Sequence, residues 1–250
     1  MRAPLSVIII ALDEEQNIRA CLESVRWVDE IVVCDSGSRD KTLEICREFT
    51  DRVYVDAWRG FGAHKNLCLD RAIHSWVFSL DADERVTPAL RAAIEQVLAD
   101  DEAMDGYDVP RQNFFLGRWI RSSGWYPDRV LRLFRKAKGR FRERAVHETV
   151  EIDGRVGHLE EPLEHHTYRT ISEYLERMDR YSGLAAVELY REGRQAGLAD
   201  VAFRPSLTFL RMYLLQGGFR EGRSGLILAG LYACYTFAKY AKLWEMQRRG

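Results

Sequence analysis

The chain reads as an α/β protein, a mostly parallel sheet flanked by helices with a C-terminal helical appendage. Three observations predict this. Short β-branched runs alternate with helix-period segments as far as Leu98, acidic turn clusters close those runs, and from Ile171 the pattern stays helical to the end. The 250 residues, 46% apolar and 30% charged, exclude a disordered or collagen-like chain. A chain of this size buries roughly 70–75% of its unfolded surface and needs no disulfide or metal to fold.

Leu5–Ile10 is a continuous apolar run, the pattern of a strand covered on both faces, and it stops at Asp13-Glu14-Glu15 rather than at a cleavage site. A helix follows from Glu15 to Val25, with Ile18, Leu22 and Val25 on one face. Glu30–Cys34 is a second strand, and the turn Asp35-Ser36-Gly37-Ser38-Arg39-Asp40 opens a helix through Phe49. Arg52–Val55 is a third strand. Gly60–Gly62 leads into a helix, and Trp76–Leu80 forms a fourth strand that ends at Asp81-Ala82-Asp83-Glu84. Thr87-Pro88 caps a helix through Leu98. From Gly106 the alternation fails. Extended pieces at Tyr107–Pro110, Val130–Arg135 and Glu148–Ile152 are separated by aromatic and basic loops, and the final helices are expected to break at Arg204-Pro205 and at Gly217-Gly218 to Gly222. Two domains are expected, residues 1–170 and residues 171–250.

Net charge is −1, which excludes a uniformly basic nucleic-acid binder. The five cysteines carry no CxxC pair and no histidine at ligand spacing, which excludes a disulfide framework and points to a reducing compartment.

Chemistry concentrates at the ends of the parallel strands, where ligands of such sheets sit. Asp81 and Asp83, two apart after a buried strand, can share a hard cation that substrate phosphates complete, which implies a nucleotide diphosphate. A solvated acidic turn is the competing reading. Asp35 can accept from a nucleobase or ribose, or simply cap the following helix. Lys65 can meet a phosphate, or lie exposed on its helix.

Four blocks then carry a resemblance: Leu5-Ser-Val-Ile-Ile-Ile-Ala-Leu-Asp-Glu-Glu, Ile31-Val-Val-Cys-Asp-Ser-Gly-Ser-Arg-Asp, Gly60-Phe-Gly-Ala-His-Lys-Asn and Leu80-Asp-Ala-Asp-Glu-Arg. In this order and spacing they resemble a family 2 glycosyltransferase. Gly124-Trp-Tyr-Pro-Asp, Arg132-Leu-Phe-Arg and Val146-His-Glu extend the likeness towards the branch containing lipopolysaccharide inner-core β-glucosyltransferases. Asp13 departs from the family, which usually carries Asn there. The resemblance implies a GT-A (Rossmann-like) fold, a nucleotide-sugar donor such as a UDP-sugar, and Mg²⁺ or Mn²⁺. It places Ala11, Asp13, Glu14 and Asp35 at the nucleoside, Lys65 at the phosphates, and Asp81, Ala82 and Asp83 in the DxD motif, with Asp83 and Asp81 as metal ligands. Inversion at the sugar needs a base for the acceptor hydroxyl. Glu148 is the candidate, set beside His147, Arg142 and Arg144, against the reading that His147 and Glu148 form a structural pair.

Residues 129–144 hold eight Lys/Arg against Glu143 alone, and this basic stretch suits a diphosphate and an anionic acceptor as well as it suits a solvated hairpin. Trp125, Arg132 and His147 are the acceptor-binding candidates, with metal binding as the other use of His147 and core packing as that of Trp125. The pair His165-His166 reads as strand-end packing. Residues 204–250 carry eight basic residues against Glu221 and Glu245, a net +6, among many aliphatic and aromatic ones. Such helices suit an anionic membrane surface, packing on the core, or a homo-oligomer contact. The expected protein therefore moves a hexose, glucose foremost, from a UDP-sugar to a lipopolysaccharide-core or related lipid-linked glycan. It would be cytoplasmic and peripheral at the inner face of the bacterial inner membrane, with no nucleic-acid partner. A polyprenyl-phosphate or protein acceptor, and an inactive membrane-bound scaffold, are the alternatives.

Overall fold

A computed structural model describes residues 2–142 and 149–249. The chain divides into two compact units, residues 1–111 with 128–165, and residues 112–127 with 166–250. The expected division near residue 170 leaves out one excursion, because residues 112–127 group with the helical unit.

In the first unit β1 (Leu5–Ala11), β2 (Glu30–Asp35), β3 (Val53–Val55) and β4 (Trp76–Asp81) form a parallel half-sheet in the order β3-β2-β1-β4. Side chains alternate across β1. Leu5, Val7 and Ile9 pack with Ile18 and Leu22 of α1 (Ile18–Ser24) on one face, and Ile8 packs with Cys68 and Leu69 on the other. Two covered faces are the reason for the unbroken apolar run. α2 (Thr42–Arg47) and α4 (Pro88–Ala99) share the α1 face through Cys46, Leu90 and Ile94, while α3 (Phe61–Arg71) covers the other. Thr87 caps α4 as expected, its hydroxyl accepting from Leu90 N at 3.1 Å.

The sheet is mixed rather than parallel throughout. β5 (Glu84–Val86), a short strand missed in the sequence, is followed by β6 (Gly106–Phe115), β7 (Arg118–Trp119) and β8 (Asp128–Arg135). β8 lies antiparallel to β4, and β6 antiparallel to β8. β6 and β8 are joined without a crossover helix, the kind of connection that antiparallel neighbours use. β9 (Gly139–Phe141) and β10 (Val150–Ile152) make a separate hairpin, with Phe141 opposite Val150. A Cβ on Gly139 would stand 2.3 Å from the Phe134 ring, so the hairpin approaches β8 only because that residue has none. β11 (Val156–His158) joins β6 in parallel, and the first half of β12 (Leu163–Tyr168) pairs antiparallel with β5.

The second unit is built on α5 (Ile171–Arg191), α6 (Leu198–Leu210) and α7 (Arg223–Arg249). A wide π-type turn, Arg211–Leu215, and a 3₁₀ turn, Gly218–Glu221, join α6 to α7. Phe115, Trp125, Tyr174, Met212 and Leu228 form its core. The break expected at Arg204-Pro205 is absent, since α6 runs through Pro205. Val201, whose carbonyl the proline leaves without a donor, is only partly buried, which gives water a route to it. The second expected break is present, with Gly217 and Gly222 at φ 71° and 60°. Among the described residues no helix is long and apolar enough to cross a membrane.

Candidate active site

Strand register assembles the site. Ala11 lies opposite Asp35, and Ile10 opposite Asp81, so the carboxyl ends of three adjacent parallel strands converge. The loops that leave them are stitched together. Ser36 N donates to Ala11 O at 2.9 Å, and Asp13 N donates to Ser38 Oγ at 2.8 Å. Arg39 N donates to Asp13 Oδ1 at 2.7 Å, and Glu14 N donates to Thr42 Oγ1 at 2.7 Å. Asp13 holds φ 54°, a left-handed conformation that Asp tolerates better than most residues. Asp35 is fully buried. Its Oδ1 accepts from Gly37 N at 2.8 Å and Ser38 N at 2.7 Å, and its Oδ2 accepts from Ser38 Oγ at 2.5 Å. Asp35 thus shapes the loop, whereas Asp13 is exposed. His64 is buried beneath, 3.1 Å from Ser36 Oγ, and burial pushes its imidazole below the ordinary value.

Beside this edge runs a chain of alternating charges. Lys65 Nζ is 2.8 Å from Asp81 Oδ1, and Arg132 donates to Asp81 Oδ2 at 2.6 Å and to Glu84 Oε1 at 2.5 Å. Arg111 stands 3.6 Å from the same Glu84 oxygen and donates to Asp128 at 2.6 Å. Glu84, wholly buried, also accepts from Asp81 N at 3.0 Å and so ties the turn to its own strand. Burial alone would raise Asp81, but Arg132 and then Lys65 hold its carboxyl well below the usual range. Burial likewise opposes the Arg132 charge, and Asp81 and Glu84 keep the guanidinium protonated.

Asp83 turns the other way. Its Oδ2 lies 3.5 Å from His165 Nε2, with both side chains largely buried. Burial would lower His165, yet the carboxylates of Asp83 and Glu84 prevail and raise it. A carboxylate with an imidazole suits a divalent ion of the Mn²⁺ type. Asp81, with a cation at each oxygen, is poorly placed as a direct ligand. Among the described residues no three His, Cys, Asp or Glu side chains converge on one metal position, so substrate oxygens and water must supply most of any shell.

Several residues of the site escaped the sequence reading. Asn66 is one: its Nδ2 donates to Phe141 O and its Oδ1 accepts from Phe141 N, both at 2.9 Å, clamping β9 to α3. Lys65 Nζ lies 5.7 Å from the centre of the Phe141 ring. Glu84 stood in plain view as the third acid of its turn but was given no role, and Arg111 had no local signal. The sequence suggests strand-end packing for His165, and its place beside Asp83 corrects that. The period-two alternation of a strand, which sends His165 and His166 to opposite faces, was the available clue. His166 stacks on Phe114 at 4.7 Å.

Two acceptor candidates are corrected. Arg132 is 5% exposed and committed to Asp81 and Glu84, so an acceptor cannot reach it without breaking that pairing. Trp125 is a core residue of the helical unit, 7% exposed and edge-on to Phe115 and Tyr232. Ala82 is buried within its turn. His147 and Glu148 lie outside the described residues. The residues flanking them are joined, Arg142 N donating to Thr149 O at 2.9 Å.

A parallel half-sheet that ends in an Asp-x-Asp turn and continues into antiparallel strands is a GT-A fold. Residues 6–165 match the family model described as Glycosyl transferase family 2, and the chain belongs to that family and is a glycosyltransferase. It is 33% identical, over 98% of its own length and 93% of the relative's, to the lipopolysaccharide core biosynthesis glycosyltransferase LpsC of Rhizobium meliloti (strain 1021). It is 25% identical, over 97% of its length and 87% of the relative's, to an uncharacterized glycosyltransferase of Rickettsia typhi. S. aureus TarS 1-349 superposes with a TM-score of 0.47 at 16% identity, covering 99% of this chain and 92% of that one.

Proposed function

We propose that this glycosyltransferase moves a hexose, glucose foremost, from a UDP-sugar to a sugar of the lipopolysaccharide core, inverting the anomeric centre. The observation that carries the donor half is the convergence of Ala11, Asp35 and Asp81 at adjacent strand ends, with Lys65 and Asp83 beside them. The acceptor half rests on the likeness to a lipopolysaccharide core enzyme along nearly the whole of both chains.

The loops after β1 and β2 receive the nucleoside, with Asp13 as their exposed acceptor. Asp81 fixes the Lys65 ammonium at the strand end, where it attracts the diphosphate. Asp83, with His165 beside it, would hold a Mg²⁺ or Mn²⁺ ion, which when bound would supply positive charge for the departing diphosphate. Glu148 takes the proton of the acceptor hydroxyl. Support for that role comes from described residues near it in sequence: Asn66 anchors Phe141 next to Lys65, and Thr149 O accepts from Arg142 N.

The test is UDP release from UDP-glucose in the presence of Mn²⁺ and a truncated lipopolysaccharide core. Asp83→Ala should lower kcat/KM about a hundredfold or more while the fold persists. Glu148→Gln should lower kcat with the donor Kd intact. Absence of turnover with every nucleotide sugar would overturn the donor assignment, and full activity of Glu148→Gln would remove the base.

A further inference from the structure

α6 buries none of its residues completely, although it packs along α7. Its outward side is apolar. Phe203 is 68% exposed, Leu207 62%, Leu214 53% and Leu215 83%. The spacing 203, 207, 210, 214 follows one side of a helix, and the wide turn Arg211–Leu215 prolongs that side beyond the end of α6. Charge on this stretch has a single sign. Between Asp200 and Glu221 there is no acid, while Arg204, Arg211 and Arg220 are all exposed. Asp200 is paired with Arg204 at 2.6 Å. Glu221 is buried, accepting from Arg121 N and Ser122 Oγ, each at 3.0 Å. Leu226 and Ile227, 48% and 44% exposed, add the first turns of α7 beyond Arg223.

An exposed apolar stripe of this extent marks an interaction surface. Its charge selects the occupant. A two-fold contact between copies of this chain would set arginines against arginines, whereas an anionic bilayer supplies both an acyl boundary for the aliphatic row and phosphates for the guanidiniums. No described helix is able to span a membrane, so the geometry is that of a helix lying in the interface.

We propose that α6 and the turn following it form a docking face for an anionic phospholipid bilayer. Phe203, Leu207, Leu214 and Leu215 enter the acyl boundary, and Arg211 and Arg220 meet the headgroup phosphates. This surface is independent of the donor reading above.

The test is co-sedimentation of the full chain with phosphatidylcholine vesicles, pure or containing about a third phosphatidylglycerol. The wild type should sediment with the anionic vesicles and much less with the neutral ones, and salt should weaken the binding. Leu207→Glu/Leu214→Glu should lower the affinity about a hundredfold, since each change removes a buried aliphatic side chain and adds a charge of the repelled sign. Arg211→Gln/Arg220→Gln should lower it about 25-fold, roughly fivefold per charge, and only on anionic vesicles. Unchanged far-ultraviolet circular dichroism and melting temperature establish that both variants fold. A wild type that ignores anionic vesicles, or variants that bind as well as the wild type, would overturn the proposal. So would a wild-type dimer that Leu207→Glu/Leu214→Glu dissociates while neither protein binds vesicles, because the face would then belong to a second copy.

Discussion

Arg132 carries more of the site than any one of the catalytic candidates, because it neutralises two buried acids at once. Replacing it with Met keeps the bulk and leaves Asp81 and Glu84 without their shared counter-ion. A broken buried pair typically costs about 3–5 kcal/mol, so the urea midpoint of Arg132→Met should fall sharply, and Arg132→Lys, which keeps the charge on a shorter side chain than the one whose Nη2 bridges both acids, should recover only part of it. The sequence showed that Arg132 alternates with Leu131 and Leu133 on a strand, and therefore that it faces away from their side. It could not show the partners, which lie 51 and 48 residues earlier. Register supplies that information: Phe78 opposite Leu133 carries Arg132 towards the carboxyl end of β4. Asp13, Asp35 and Asp81 were legible because each directly follows an apolar run. Whether a carboxylate is exposed, as Asp13 is, or consumed by its own turn, as Asp35 is, depends on backbone donors that only the folded loop defines.

At the scale of elements, two of the links that α3 makes to its neighbours can be tested separately. The first is Arg71 on Asp56, which follows β3 and whose N–H donates to Asp35 O at 2.9 Å. The hydrogen bond from Arg71 holds the Asp56 carboxyl below its ordinary range despite partial burial. A lowered folded-state pKa contributes stability above the unfolded value of about 3.9, and that contribution is lost as pH falls through the folded value. The wild type should therefore lose more stability than Asp56→Asn on going from about pH 5 to below pH 3, as urea titrations at each pH would reveal. The second link is Asn66 on Phe141. Asn66→Ala leaves a buried peptide group without partners, at a cost of about 1–3 kcal/mol, and should lower kcat at least tenfold (about 1.4 kcal/mol in barrier height) while the donor Kd stays within about twofold. Steady-state kinetics beside donor titration would separate the two effects. The helices and parallel strands were legible because their periods and caps are local. β5 was not, since three residues pairing with Leu163–His165 carry no periodicity of their own. α6 was misjudged at Pro205 because a proline's cost depends on whether solvent reaches the freed carbonyl.

For the molecule as a whole, the net charge of −1 conceals a division, since residues 204–250 contribute +6 and residues 1–203 therefore −7. The acidic part holds the strand ends and the basic part the exposed helical face. Ligand linkage offers a global check on the first. A UDP-sugar with Mn²⁺ at about a hundred times its Kd should stabilise the folded state by about 2.7 kcal/mol, or roughly 5–10 °C in melting temperature for a chain of this size. Asp83→Ala should abolish the Mn²⁺-dependent part of that rise, as differential scanning fluorimetry would record. A shift independent of both metal and Asp83 would remove Asp83 as the ligand.

The Asn66 clamp has one more consequence. It grips the main chain of Phe141 and ignores that residue's side chain, and the strand pairing that returns at Val150 is main-chain too. The two ends of the hairpin are thereby held by contacts that do not read side chains. Cassettes exchanged between Arg142 and Thr149 that keep Glu148 should therefore leave the donor Kd unchanged, which makes this hairpin the place to graft a different acceptor preference onto the same transferase.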